Sequence, residues 1–572
     1  MKAFVLGMQE DIFPNYGNNE AISLSKIQLT EEKYDGAKRH MYTRSSSSGL
    51  NDEDACVSSY VCRISLQNAT STFAGFTCLD KLIKVLQSSL EALEVKPNDT
   101  DLEKWAYIVH ECMSGNGRNF HSVGHVFDIS VDAEPLQTLS AMFHDCIYYN
   151  VDGGLNFKMK EALKGVIVED MSCGTCAVRL VDVDAQDDNL LSISVSIFGF
   201  KSHQTLLPFG GLNEFLSAML ACRELGNSLT LKQMVRIIVC IEATIPFRKP
   251  NDQGKNVSES LFDRLVLTNT KFDLEFTEEE AIYAIKMATD LGNRDVGNFT
   301  TDDKAYFLDN TWKLLPESNI PLRQTNIYTM FEYQLALNKM EGFFNFLDPT
   351  TVYHSFRGLP PPETMSFMKE RVEMNIGAAR CYLRAKLVGI AVLSSLAVMT
   401  GGDSPIAMFM GDLPDQVEDN NDFVNLGEIL NRECPDPRRI GKYVELDEEI
   451  FNLLHVGRKN ASKFDLKNSP LAAFLYALIG DKGIELSTKS VVYPMTVESA
   501  RKFLQTLPPK AVATIAYLCA QFAETRSAEL MDIAVEYSNA YDSTRYDWPA
   551  PDSENRLAPQ DIRQQLNISR SI

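Results

Sequence analysis

Three of the eight histidines in this 572-residue chain, His121, His125 and His144, fall within 24 consecutive residues, with Asp128 among them and Asp145 directly after. So tight a gathering of a scarce residue type points to a task for imidazole. His121 and His125 are four apart, which on a helix places them one turn apart on the same face. The apolar run Leu139–Phe143 then delivers His144 and Asp145 side by side, as a buried helix carries a ligand pair towards its neighbour. Nitrogen and carboxylate ligands from two packed helices make a site for a divalent metal, and Mg, Mn, Fe or Zn would suit such a donor set.

The spacing His121-x-x-x-His125-x-x-Asp128 followed by His144-Asp145 resembles the HD superfamily of metal-dependent phosphohydrolases. In detail, Phe120-His121-Ser122-Val123-Gly124-His125-Val126-Phe127-Asp128-Ile129 is similar to the Tyr-His-Asn-x-x-His-Ala-x-Asp-Val signature of cyclic nucleotide phosphodiesterases. Met142-Phe143-His144-Asp145-Cys146-Ile147-Tyr148-Tyr149 looks closer to a bacterial branch that reads Trp-Phe-His-Asp-x-x-Tyr. The resemblance implies that His125, His144 and Asp145 are metal ligands, with Asp145 part of the catalytic centre, and that His121 is the proton donor to the leaving group. The superfamily also requires a distal Asp. Ala288-Thr289-Asp290-Leu291-Gly292-Asn293 is similar to the Ala-Asp-Leu-Ser-Asn of phosphodiesterases and favours Asp290, with Asp295 as the alternative. Where phosphodiesterases carry a further His that helps to organise a second metal, this chain has Tyr148, and it shows no counterpart of their purine-clamping Gln.

The implied function is a metal-dependent phosphohydrolase, phosphodiesterase or phosphomonoesterase, acting on a small phosphate ester or nucleotide. Arg118, Arg248 and Arg294 lie near the ligands in sequence and are candidates for the substrate phosphate. Two other readings share the scaffold: an HD-type di-iron oxygenase, which would need more ligands, and a catalytically silent HD fold used for binding or regulation.

The elements that must hold these residues are mostly helical. Apolar residues recur at helical spacing over Leu79–Leu93, Leu102–Met113, Leu212–Leu220 and Met234–Ile241, the last ending before Pro246. Glu242, inside that apolar helix, needs a partner: it is a candidate additional metal ligand or one half of a buried ion pair. Thr277 followed by three glutamates starts a helix that carries Asp290, with Gly292 suited to its end. Between the histidines and these helices, Thr175–Val183 and Leu191–Phe198 alternate apolar with small or polar residues, which predicts a β-hairpin inserted at about 170–205. The expected fold is mainly α: an HD-domain helical bundle over 61–350 with the β-hairpin insertion, and a second helical C-terminal domain over 365–572. Leu359-Pro360-Pro361-Pro362 would be a stiff linker between them. Residues 1–60, with the serine-rich Thr43–Gly49, read as a partly mobile arm.

A chain of this length exceeds one ordinary core. Its formal net charge of −22 repels extended nucleic acid, so the expected partner is a small phosphorylated molecule. The first apolar stretch, Met1–Met8, is too short for a signal peptide and Leu387–Met399 too short to span a bilayer, so no membrane association and a cytoplasmic location are expected. Twelve scattered cysteines do not form a disulfide framework, and the close pair Cys173 and Cys176 lacks a second pair of ligands.

Overall fold

A computed structural model of the chain describes residues 77–170, 177–325, 327–411, 425–433 and 444–539. The expected N-terminal arm and the Cys173/Cys176 pair lie outside the described residues.

The fold is mainly helical, as the periodicity predicts. Helices α1 (Cys78–Ala92) and α2 (Asp99–Met113) pack on each other, and α1 also covers α4 (Pro135–Phe143), which follows the short α3 (Val123–Ile129). The middle of this half is α7 (Leu231–Ala243), whose residues from Ile237 to Glu242 are all buried. It packs against α4, α5 (Asn189–Phe198), α6 (Leu212–Leu225), α8 (Val257–Phe272) and α9 (Glu278–Asp295). The covered stretch Ile237–Ile241 is apolar at every position, whereas Lys232, Gln233 and Arg236 fall where the helix is partly exposed.

The sheet is smaller than expected and differently placed. Strand β1 (Ile167–Asp170) pairs antiparallel with β2 (Ala177–Leu180) in the register Ile167 to Leu180, and β2 pairs with the short β3 (Thr205–Leu206). The expected second hairpin strand, Leu191–Phe198, is instead helix α5. Asp188 caps it by accepting from the Leu191 N–H, and Gly199 ends it in the left-handed conformation (φ 72°). The alternation of serine with Leu, Ile and Val misleads here because α5 is covered on several sides. Ser194 is buried, and Ser196 Oγ lies 2.6 Å from Thr268 Oγ1 on α8.

The buried apolar residues divide into two clusters, one running from Leu82 to Leu291 with Phe356, the other from Val296 to Tyr537. Helices α10 (Lys304–Ser318) and α11 (Met330–Phe346), grouped with the histidines in the sequence reading, pack in the second cluster. That cluster is built around the 38-residue α12 (Pro362–Met399). By length and composition α12 could cross a membrane, but 83% of its apolar window is buried against the rest of the fold, as in a core helix.

Candidate metal centre

Helix α3 begins after Ser122, so His121 precedes it instead of sharing it with His125. A carboxylate from the other apolar cluster accounts for this. Glu317 Oε1, from the last turn of α10, accepts the backbone N–H groups of Asn119, Phe120 and His121 at 2.7, 2.6 and 3.0 Å, and folds the segment around itself. Its other oxygen lies 2.6 Å from His121 Nδ1, with both side chains buried. Burial pushes the Glu317 carboxyl up, but His121 and the backbone donors outweigh it and hold it below the usual carboxylate range. An ionised Glu317 requires the proton on His121 Nδ1, leaving Nε2 as the ring's other working nitrogen.

On α3, His125 points to Asp295, with Nε2 and Oδ1 2.9 Å apart. His144 stands at the C-terminal cap of α4, with Asp145 just beyond. Its Nε2 lies 2.9 Å from Asp145 Oδ2 and 3.2 Å from Asp295 Oδ1. One ligand atom from each of His125, His144, Asp145 and Asp295 falls within 4.8 Å of all the others. The donor set fits a cation on chemical grounds. His144 Nδ1 is 2.7 Å from the Ala141 carbonyl, which can only accept, so the proton sits on Nδ1. Nε2 then turns a lone pair towards two carboxylate oxygens, an arrangement that a cation between them, or a second proton on the ring, makes favourable. Two nitrogens and two oxygens suit a divalent ion such as Mg, Mn, Fe or Zn, without selecting among them.

Asp295 joins this cluster; Asp290, the favoured distal residue, does not. The Asp290 carboxylate accepts from Arg294 Nε at 2.7 Å and Gln137 Nε2 at 3.0 Å, and its side chain is 38% exposed. Helix α9 continues past Gly292 to Asp295, so the buried stripe Ala281, Ala284, Ala288, Leu291 ends on Asp295. Gly292 serves a helix crossing instead of a helix end: a Cβ there would lie 2.5 Å from the Ala243 carbonyl of α7.

Two of the three candidate arginines are committed elsewhere. Arg118 is buried, binding both Asp152 oxygens and the carbonyls of Asp145 and Cys146. It therefore holds the chain just after the His-Asp pair. Arg294 spans Asp290 and the carbonyls of Val131 and Asp132. Arg248 pairs with Glu242, which Arg264 also contacts, and this corrects the idea of Glu242 as an additional metal ligand. The two guanidiniums hold the buried Glu242 carboxyl below its usual range against the effect of burial. Tyr148 lies edge-on to His121 at 4.8 Å between centroids. Burial, with Glu317, Asp145 and Glu214 nearby, pushes its phenol far up, so it remains neutral.

Sequence reasoning missed Glu317. The available signal was an acid directly after Leu314-Leu315-Pro316 in the last turn of a helix, where the macrodipole disfavours negative charge and a specific partner is required.

Comparison of the chain with protein-family models, curated proteins and solved structures finds no match. The resemblance to HD phosphohydrolases therefore stands on the residues quoted above.

Proposed function

We propose that the cluster holds one divalent metal ion in an HD-type site, and that the protein is a metal-dependent phosphohydrolase acting on a small phosphate ester or nucleotide. The observation that carries this reading is the division of labour among the three histidines. His125 and His144 converge with Asp145 and Asp295, whereas His121 stands beside them with Nδ1 tied to Glu317. An ion held by the four residues supplies Lewis acidity towards a phosphoryl oxygen and acidifies water. His121 and Asp295 line a common cavity, and on this reading His121 Nε2 gives a proton to the departing ester oxygen there. Glu317 is a positioning residue that fixes the ring and its tautomer. Phe120, at 4.9 Å from both His121 and His125, shields the pair on one side.

A second reading, a silent HD-like scaffold used in binding or regulation, is favoured by one feature. The cavity beside His121 and Asp295 measures only ≈ 10 Å³, about one water, so a substrate must displace side chains to enter. Metal content measured together with turnover of a broad phosphomonoester and phosphodiester panel decides between them. A stoichiometric divalent ion with turnover lost in Asp145→Ala supports the hydrolase. A bound ion with no turnover of any ester moves the assignment to the scaffold.

A further inference from the structure

A second cavity of ≈ 20 Å³ adjoins the first, with Pro246 and Val296 lining both. It opens beside the ion cluster of α7 and α8, and its charge balance is uneven. Arg248 and Arg264 share the single carboxylate of Glu242, which leaves one positive charge in surplus. Asp263, the other carboxylate near Arg264, is paired with Lys255. Two residues that line the cavity, Arg248 and His354, each keep a buried nitrogen without a hydrogen-bond partner among the described residues: Arg248 Nε and His354 Nε2. His354 is held in place by its backbone, which exchanges hydrogen bonds with the Asn293 side chain at 2.9 and 3.0 Å. The close crossing of Gly292 over Ala243 forms part of the wall.

Buried nitrogens left unsatisfied cost about 1–3 kcal/mol each unless a ligand or water completes them. The surplus guanidinium charge favours an anion over a neutral ligand there. We propose that this cavity is a small-anion subsite, in which Arg248 Nε and His354 Nε2 bind one phosphate or carboxylate oxygen that reaches into it beside the metal centre, the rest of the anion lying at its mouth. Burial, reinforced by Arg248 and Lys369 and opposed by Glu242, lowers His354 to about 4, so the ring is neutral near pH 7 and offers an N–H when its proton is on Nε2. The occupant is either a second anionic group of the substrate or free phosphate. The first assignment rests on the phosphohydrolase reading above; the existence of the subsite does not.

The test uses the full chain stripped of metal by a chelator, so that added inorganic phosphate cannot bind through the ion. Titration calorimetry or ³¹P line broadening should show saturable millimolar binding. His354→Phe, and separately Arg248→Lys, which keeps the charge facing Glu242 but loses Nε, should each weaken it at least about tenfold. The second variant keeps the result interpretable if the first does not fold. In the metal-loaded protein, a substrate-borne anion predicts that His354→Phe raises KM for esters with a second anionic group and not for those with one. A free-phosphate effector predicts equal KM values and noncompetitive phosphate effects. No saturable binding to the metal-free wild type, or binding indifferent to both His354→Phe and Arg248→Lys, would overturn the subsite and leave the hydrolase reading untouched.

Discussion

His121 and Glu317 stand 196 residues apart in sequence, yet their side chains meet at 2.6 Å in a buried contact between the segment before α3 and the last turn of α10. The candidate acid is therefore held by a helix that supplies none of the four clustered ligands. His121→Ala should retain the metal but lose about 10²–10⁴ in rate on esters with poor leaving groups, and much less on nitrophenyl esters, which depart without a proton. Glu317→Gln, which can still accept from the three backbone N–H groups, should cost roughly 10- to 100-fold, the usual worth of an orienting partner. A loss in His121→Ala that ignores the leaving group would make His121 a structural residue.

Metal analysis of two neighbouring variants tests the distal ligand. Asp295→Ala should lose the ion, whereas Asp290→Ala, which breaks a contact to Arg294 at the helix surface, should keep it. In the wild type, a metal at about 100 times its dissociation constant should raise the unfolding free energy by about 2.7 kcal/mol. Asp295→Ala should not respond.

Glu242 sits between two partly buried guanidiniums, Arg248 and Arg264. Its replacement by Ala should destabilise the fold by about 3–5 kcal/mol, because two charges lose their partner at once. Urea unfolding reads this directly. A change below about 1 kcal/mol would mean that the arginines simply turn to solvent.

Stability should fall with acidity in two windows. His354 titrates near 4 in the folded chain against about 6.5 unfolded. The unfolded state thus binds a proton that the folded state refuses, and unfolding becomes easier as pH drops from about 6.5 to 4, by up to about 3 kcal/mol. Glu242 and Glu317, both lowered in the fold, contribute stability that is present above their unfolded values and lost as pH falls further. His354→Phe should flatten the upper window and spare the lower one in phosphate-free buffer; identical profiles for variant and wild type would contradict the burial of a neutral ring.

Gly292→Ala sets propensity against packing. Alanine gains about 1 kcal/mol in a helix interior, but its Cβ would meet the Ala243 carbonyl at 2.5 Å, and that partner is backbone. A net loss of about 1–3 kcal/mol is expected, together with weaker metal binding as Asp295 shifts. A stabilised variant would show that the crossing can relax.

Most helices were legible because one-sided burial writes a 3.6-residue period. The helix start at Thr277 was visible as an N-cap residue followed by three glutamates, and in the structure Thr277 and Glu280 go further and form a capping box. Two departures have different causes. Leu191–Phe198 alternates like a strand but is covered on several sides, so the period that reports a single buried face carried no information. At Asp290 and Asp295 the choice by motif likeness overrode the periodicity, which already ran through Ala281, Ala284, Ala288 and Leu291 to Asp295. Glu317 was hidden for another reason: its role arises from a long-range contact, and only the oddity of an acid at an apolar helix end hinted at it.

The crossing of α7 and α9 at Gly292 has a consequence for selectivity. Asp295 follows the contact by three residues on one helix, and Glu242, with its two arginines, precedes it by one on the other. With no side chain between them to compress or swing, the two helices cannot slide past each other without backbone collision. The span from Asp295 to Glu242, which in turn holds Arg248, is thereby restrained. On the two proposals above, a phosphate ester would be selected by the distance between its two anionic ends, so molecules alike in length but different in base or sugar should be handled alike, and those one bond too long should engage only one end.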